Sequence, residues 1–209
     1  MEVWSKTARR FATHLSKTHH FQIGRRQVTT LSLASQKRRG KKITMVTAYD
    51  FPSAIHVQRA NIDLILVGDS CAMVELGYDT TQPVTLDQML HHCQAVHRGV
   101  TAGMQASKDT KANKPLLVGD MPFGSYEYQD MDVALRNAYR MVKEGGMDAV
   151  KLEGGSEHRA NTVRHVVQGG GMLYVIMILR LWNLFRFCLI GAHMMSLTRF
   201  YDELMNWFQ

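Results

Sequence analysis

Between residues 42 and 172 the chain repeats one pattern four times: a short apolar run, then a longer stretch with helical spacing. Residues 43–48 read as a first strand closing on Tyr49-Asp50, with a helix over about 52–60. Residues 63–67 form a second strand, followed by a loop and a helix over about 85–99. The third strand, 116–118, precedes a helix over about 131–144, and the fourth, 149–152, a helix over about 157–168. The runs are too short for helices and are bounded by glycine or proline, which favours buried strands. Gly145-Gly146 and Gly169-Gly170-Gly171 follow two of the helices as stop signals. Strands alternating with helices of this length predict βαβ crossovers and a parallel sheet, an α/β fold.

After Met172 the rhythm is lost. Residues 173–190 are apolar and aromatic but carry Arg180, Asn183 and Arg186, and residues 173–209 are expected to stand apart from the repeats. A membrane span there is disfavoured, because each central arginine costs roughly 2.5–3.5 kcal/mol on insertion.

The repeat gives three acids a shared position. Asp69, Asp120 and Glu153 each stand directly after or at the end of a predicted strand. All three then lie at the C-terminal edge of the sheet, where βα proteins bind ligands. Clustered carboxylates raise one another's pKa unless a cation joins them, and Mg²⁺ is the natural hard partner. A 2-oxo acid chelating that ion is polarised toward its enolate. Lys151 lies two residues before Glu153 and shares its face, so it and Ser70 are candidates for binding the anion. The competing reading is that such aspartates are turn formers or helix caps. His91, His92 and His97 read as one solvated or packed helix face, and the triple glycine lacks the Lys-Ser/Thr of a phosphate loop.

Charge and cysteine content narrow the classes. The net charge of +7 is misleading, since residues 1–42 hold eleven Lys or Arg and one acid, leaving the remainder at −3. The basicity is a property of the N-terminus and does not indicate a nucleic-acid surface. Residues 1–41, rich in Ser and Thr and nearly acid-free, fit a mitochondrial transit leader. Cys71, Cys93 and Cys188 have no metal-like spacing and suggest reduced thiols.

Five ordered motifs then point to one family. Thr47-Ala48-Tyr49-Asp50, Leu66-Val67-Gly68-Asp69-Ser70, Gly77-Tyr78-Asp79-Thr80-Thr81 with Pro83-Val84-Thr85, Gly119-Asp120-Met121-Pro122-Phe123, and Val150-Lys151-Leu152-Glu153-Gly154-Gly155 closely resemble ketopantoate (3-methyl-2-oxobutanoate) hydroxymethyltransferase. The leader resembles that of a plant or fungal mitochondrial form. The resemblance implies a (β/α)₈ TIM barrel with about its first four βα units present, a homo-oligomer acting in pantothenate biosynthesis. It implies transfer of a one-carbon unit from 5,10-methylenetetrahydrofolate to 3-methyl-2-oxobutanoate, giving 2-dehydropantoate. Carried over by motif, Asp69, Asp120 and Glu153 would form the Mg²⁺ site, and Asp69, Ser70, Asp120 and Lys151 would bind the oxo acid.

The family's general-base glutamate falls in the second half of the barrel, so no catalytic base is expected in this chain. A barrel of this type takes about 250 residues, and the tail resembles read-through of an intron or a shifted frame. Two alternatives remain open. One is an inactive truncated isoform that co-assembles with full-length subunits; the other is a different metal-enolate lyase or mutase acting on a 2-oxo acid.

Overall fold

The computed structural model describes residues 26–109, 112–170, 174–181 and 184–190, with side chains described as far as residue 169. The four expected βα units are present. Strand β1 is Met45–Thr47, β2 Leu64–Val67, β3 Leu116–Asp120 and β4 Ala149–Glu153. They pair in chain order, each parallel to the next. Helix α1 spans Thr30–Arg38, α2 Phe51–Arg59, α3 Cys71–Val74, α4 Leu86–Ala106, α5 Met131–Lys143 and α6 Glu157–Gly170.

Both faces of the sheet are covered, which explains why β2 and β3 read as continuous apolar runs. Successive side chains point to opposite faces. Ile65, Val67, Leu117, Val150 and Leu152 face one way and pack with Met89, Val96 and Val100 of α4, Ala138 and Met141 of α5, and Val163 and Val166 of α6. Leu64, Leu66, Leu116, Val118 and Ala149 face the other way and pack with Val28 and Leu33. Asp120 is in phase with Leu116 and Val118, and Lys151 with Ala149, so both project from this second face.

Helix starts follow local chemistry. Asp50 caps α2 through Ser53, Thr85 caps α4 through Gln88, and Asp130 caps α5, each accepting a backbone N–H. Helix α4 runs past Gly99, where the sequence pattern placed its end. A Cβ on Gly99 would stand 2.4 Å from the Phe51 carbonyl oxygen, so this glycine allows α2 and α4 to approach and is not a stop. Gly146, at φ +72, does terminate α5, and its carbonyl accepts from His97 Nδ1 at 2.9 Å.

The leader boundary at residue 41 requires correction. Arg26 and Val28 bond to Lys114 through two backbone hydrogen bonds, and α1 is capped by a reciprocal Thr29–Ser32 box. The Gln36 amide donates to Asp63 Oδ1, while the Thr44 backbone and hydroxyl both donate to Asp63 Oδ2, each at 3.0 Å. Residues 26–41 are thus fastened to the sheet. Their Ser/Thr-rich composition concealed this because α1 buries only Thr30, Leu33 and Gln36. The leader reading of residues 1–25 lies outside the described residues.

Asp63 supplies a pH test of that fastening. Burial works to raise its carboxyl, but the Thr44 and Gln36 hydrogen bonds outweigh it and hold the pKa below 3.8. A depressed acid contributes stability above its unfolded value and loses it as pH falls through the folded one. Denaturation midpoints below about pH 4 are therefore expected to fall less steeply for Asp63→Asn than for the natural chain. Parallel curves would remove the assignment.

The region after α6 also departs from expectation. Strand β5, Tyr174–Leu181, pairs parallel with β4, and β6, Leu184–Ile190, pairs antiparallel with β5. The sheet therefore gains a strand in register with β4 before the βα alternation ends in a hairpin. Strand pairing is a long-range property, and no local signal marked it. Residues 191–209 lie outside the described residues. Among the described residues, no helix is long and apolar enough to cross a membrane.

Candidate active site

Asp120 is the last residue of β3 and only 1% exposed. Lys151, also buried, reaches it from the neighbouring strand, in register through the Asp120–Lys151 pairing of β3 and β4. The Lys151 ammonium donates to Asp120 Oδ2, which also accepts the Asp69 backbone N–H at 3.2 Å. The other oxygen, Asp120 Oδ1, is buried and has no hydrogen-bond partner. Native structures rarely leave such an atom unpaired, and an unplaced ion is one explanation.

The electrostatics agree with that geometry. Burial pushes the Asp120 carboxyl up to about 8; Lys151 pulls it down, and the nearby Asp69 adds to the rise. Burial would lower the Lys151 ammonium, but Asp120 beside it holds it above the usual range. A buried ion pair of this kind sits near balance, and a second cation at Oδ1 would tip it toward the carboxylate.

Of the expected residues, the structure brings Asp69, Asp120 and Lys151 together at the ends of β2, β3 and β4. Glu153 is placed differently. Its carboxylate is 49% exposed and lies 3.4 Å from Lys151 Nζ. Lys151 thus bridges Asp120 and Glu153, and among the described residues no three His, Cys, Asp or Glu side chains form a group able to hold a metal. Three acids do stand at the strand ends, and Lys151 lies between Asp120 and Glu153. The strand ends place all of these groups, while the charge compensation by Lys151 depends on the register of β3 against β4.

The reading of these aspartates as helix caps does not describe them. Asp120 ends a strand, and the residue at the N-cap of α3 is Ser70, whose side chain makes no capping bond. Its hydroxyl lies instead 2.9 Å from that of Tyr49. Cys71 and Cys93 are buried free thiols, and burial raises Cys71 to about 11, which makes it a poor nucleophile.

Three residues that no sequence signal marked support the site. The Tyr126 hydroxyl accepts the backbone N–H of Glu153 at 3.2 Å. Arg159, in the first turn of α6, lies 4.3 Å from the centre of the Tyr126 ring and donates to the Tyr126 carbonyl at 2.8 Å. Glu127 accepts the backbone N–H groups of Gly124 and Tyr126. The loop after β3 is therefore locked against the end of β4, which fixes the frame around Asp120 and Lys151.

Comparison with known proteins places this arrangement. The sequence profile of the ketopantoate hydroxymethyltransferase family matches residues 27–173. The chain is 52% identical over 145 residues to "3-methyl-2-oxobutanoate hydroxymethyltransferase 1, mitochondrial" of Oryza sativa subsp. japonica, covering 69% of this chain and 36% of that protein. It is 51% identical over 144 residues to the protein of the same name from Arabidopsis thaliana, covering 69% of this chain and 38% of that one. The chain thus spans less than two-fifths of the length of these relatives. Among solved structures, oxaloacetate acetylhydrolase is similar with a TM-score of 0.49 and 14% identity, over 69% of this chain and 50% of that one. The profile begins at Gln27, whose backbone the structure pairs with Lys114, and ends just before β5. It takes in every element that builds the site, and the chain belongs to the ketopantoate hydroxymethyltransferase family.

Proposed function

We propose that this chain carries the oxo-acid and metal subsites of a 3-methyl-2-oxobutanoate hydroxymethyltransferase, the enzyme that makes 2-dehydropantoate from 3-methyl-2-oxobutanoate and 5,10-methylenetetrahydrofolate. The observation carrying this reading is the unpartnered Asp120 Oδ1, buried beside Lys151 and the Asp69 backbone. An anionic oxygen in that position suits a hard cation. Asp69 and Asp120 would hold Mg²⁺, with Glu153 acting from the far side of Lys151. When bound, the ion supplies Lewis-acid polarisation of the oxo group.

The chain's own residues do the rest of the binding. Lys151, held charged by Asp120, is a compact cation for the substrate's anionic end. Ser70 offers a hydroxyl donor from the end of β2. Val118 and Leu66, both buried, flank the base of the site and lower its dielectric, which strengthens each of these contacts. The base that removes the C3 proton is assigned to the family's glutamate outside the matched segment. The basic N-terminus and the mitochondrial names of the plant relatives support a mitochondrial location.

Calorimetric titration of 3-methyl-2-oxobutanoate into the chain tests the reading, with Mg²⁺ present and with the ion chelated. Binding that requires the ion is expected. Equal affinity in both conditions, or none in either, rejects it. Solvent deuterium entering C3 in the same mixture would place a working base within this chain.

A further inference from the structure

The hydroxyl of Ser70 is in an unusual situation for its position. A serine at a helix N-cap ordinarily turns its oxygen to the amide two or three residues on. Ser70 stands at the N-cap of α3 with helical φ and ψ, and makes no such bond. Its Oγ meets the Tyr49 hydroxyl at 2.9 Å instead. Gly68 leaves room for this orientation, since a Cβ there would stand 2.9 Å from Ser70 Oγ.

Tyr49 is itself held from two sides. Its carbonyl is 2.8 Å from His92 Nδ1 of α4; a carbonyl only accepts, so Nδ1 carries the proton. The next residue, Asp50, is fixed as the cap of α2 by the Ser53 N–H at 2.7 Å. Tyr49, after the end of β1, thus meets helix α4 through its carbonyl and, through its hydroxyl, Ser70 at the end of β2, the residue next to Asp69.

We propose that Tyr49 is a positioning residue of the oxo-acid site, donating to Ser70 Oγ so that the Ser70 proton is directed at the bound substrate anion. The phenol is the more acidic of the two hydroxyls and the natural donor, and a chain of two hydroxyls ending on an anion is mutually polarised. The proposal rests on the reading of Ser70 as a substrate contact.

The test is a double-mutant cycle read by the affinity of the full chain for 3-methyl-2-oxobutanoate in Mg²⁺, with thermal midpoints recorded alongside. Tyr49→Phe keeps the ring and removes only the hydroxyl. It is expected to weaken binding about 3- to 10-fold, the range of one net hydrogen bond. In a Ser70→Ala background the same change is expected to have no further effect. Unchanged affinity in Tyr49→Phe, or an equal loss with and without Ser70, overturns the proposal. A lowered midpoint with unchanged affinity does so too, by making the contact a structural strut. Failure of the unaltered chain to bind overturns the underlying reading of the site, and this proposal with it.

Discussion

Lys151→Met is expected to destabilise the chain by about 3–5 kcal/mol near pH 8, the cost of stranding one member of a buried ion pair. Lys151 is the hydrogen-bonded cation on an aspartate that is 99% removed from solvent, and methionine fills similar volume without charge. The loss has a direction in pH. Burial raises the Asp120 carboxyl in the folded chain, and the change removes the Lys151 charge that pulls it down. An acid with a raised folded pKa favours the folded state below its unfolded value and loses that advantage as pH rises through the folded one. The variant should therefore recover stability as pH is lowered from 8 toward 5, and chemical denaturation at several pH values reads this. A cost independent of pH over that range would show that packing, and not charge, is what Lys151 contributes.

Asp120→Asn is expected to abolish Mg²⁺-dependent binding of the oxo acid. Loss of an outer-shell partner alone typically lowers metal affinity 10- to 100-fold. Removing the charge on the oxygen proposed to meet the ion should exceed about 100-fold by the same measure. Glu153→Gln is the informative contrast. Half-exposed and turned to Lys151, it should change affinity far less. Equal losses in the two variants would restore the three-acid site that the sequence pattern suggested. The unpartnered Asp120 oxygen would then have to be explained without an ion.

The contrast between these acids shows what the sequence conveys about such a site. Strands β2, β3 and β4 were legible because both of their faces are covered, so that Leu64 to Val67 and Leu116 to Val118 are uninterrupted apolar runs. Their ends then located Asp69, Asp120 and Glu153 without any knowledge of contacts. The Lys151–Asp120 pair was not legible, because it depends on the register of β3 against β4. The helix over about 85–99 was drawn short of Ala106 for a related reason. A glycine that ends a helix and one that admits a neighbouring helix look alike until Phe51 and Ala54 are in place. Helix α1 was hidden by polar composition, since it buries only Thr30, Leu33 and Gln36 and is tied down by the Gln36 amide on Asp63. The motif around Tyr49 stood out in the sequence, while its link to Ser70 belongs to the fold alone.

The attachment of α1 also limits proteolytic maturation. Val28 is buried against β2 and β3, and the backbone from Arg26 onward is bonded to the segment that enters β3. A peptidase cutting near residue 41 would strip the cover from Leu64, Leu66, Leu116 and Val118. Any cleavage that leaves this cover of β2 and β3 in place therefore has to fall before Arg26.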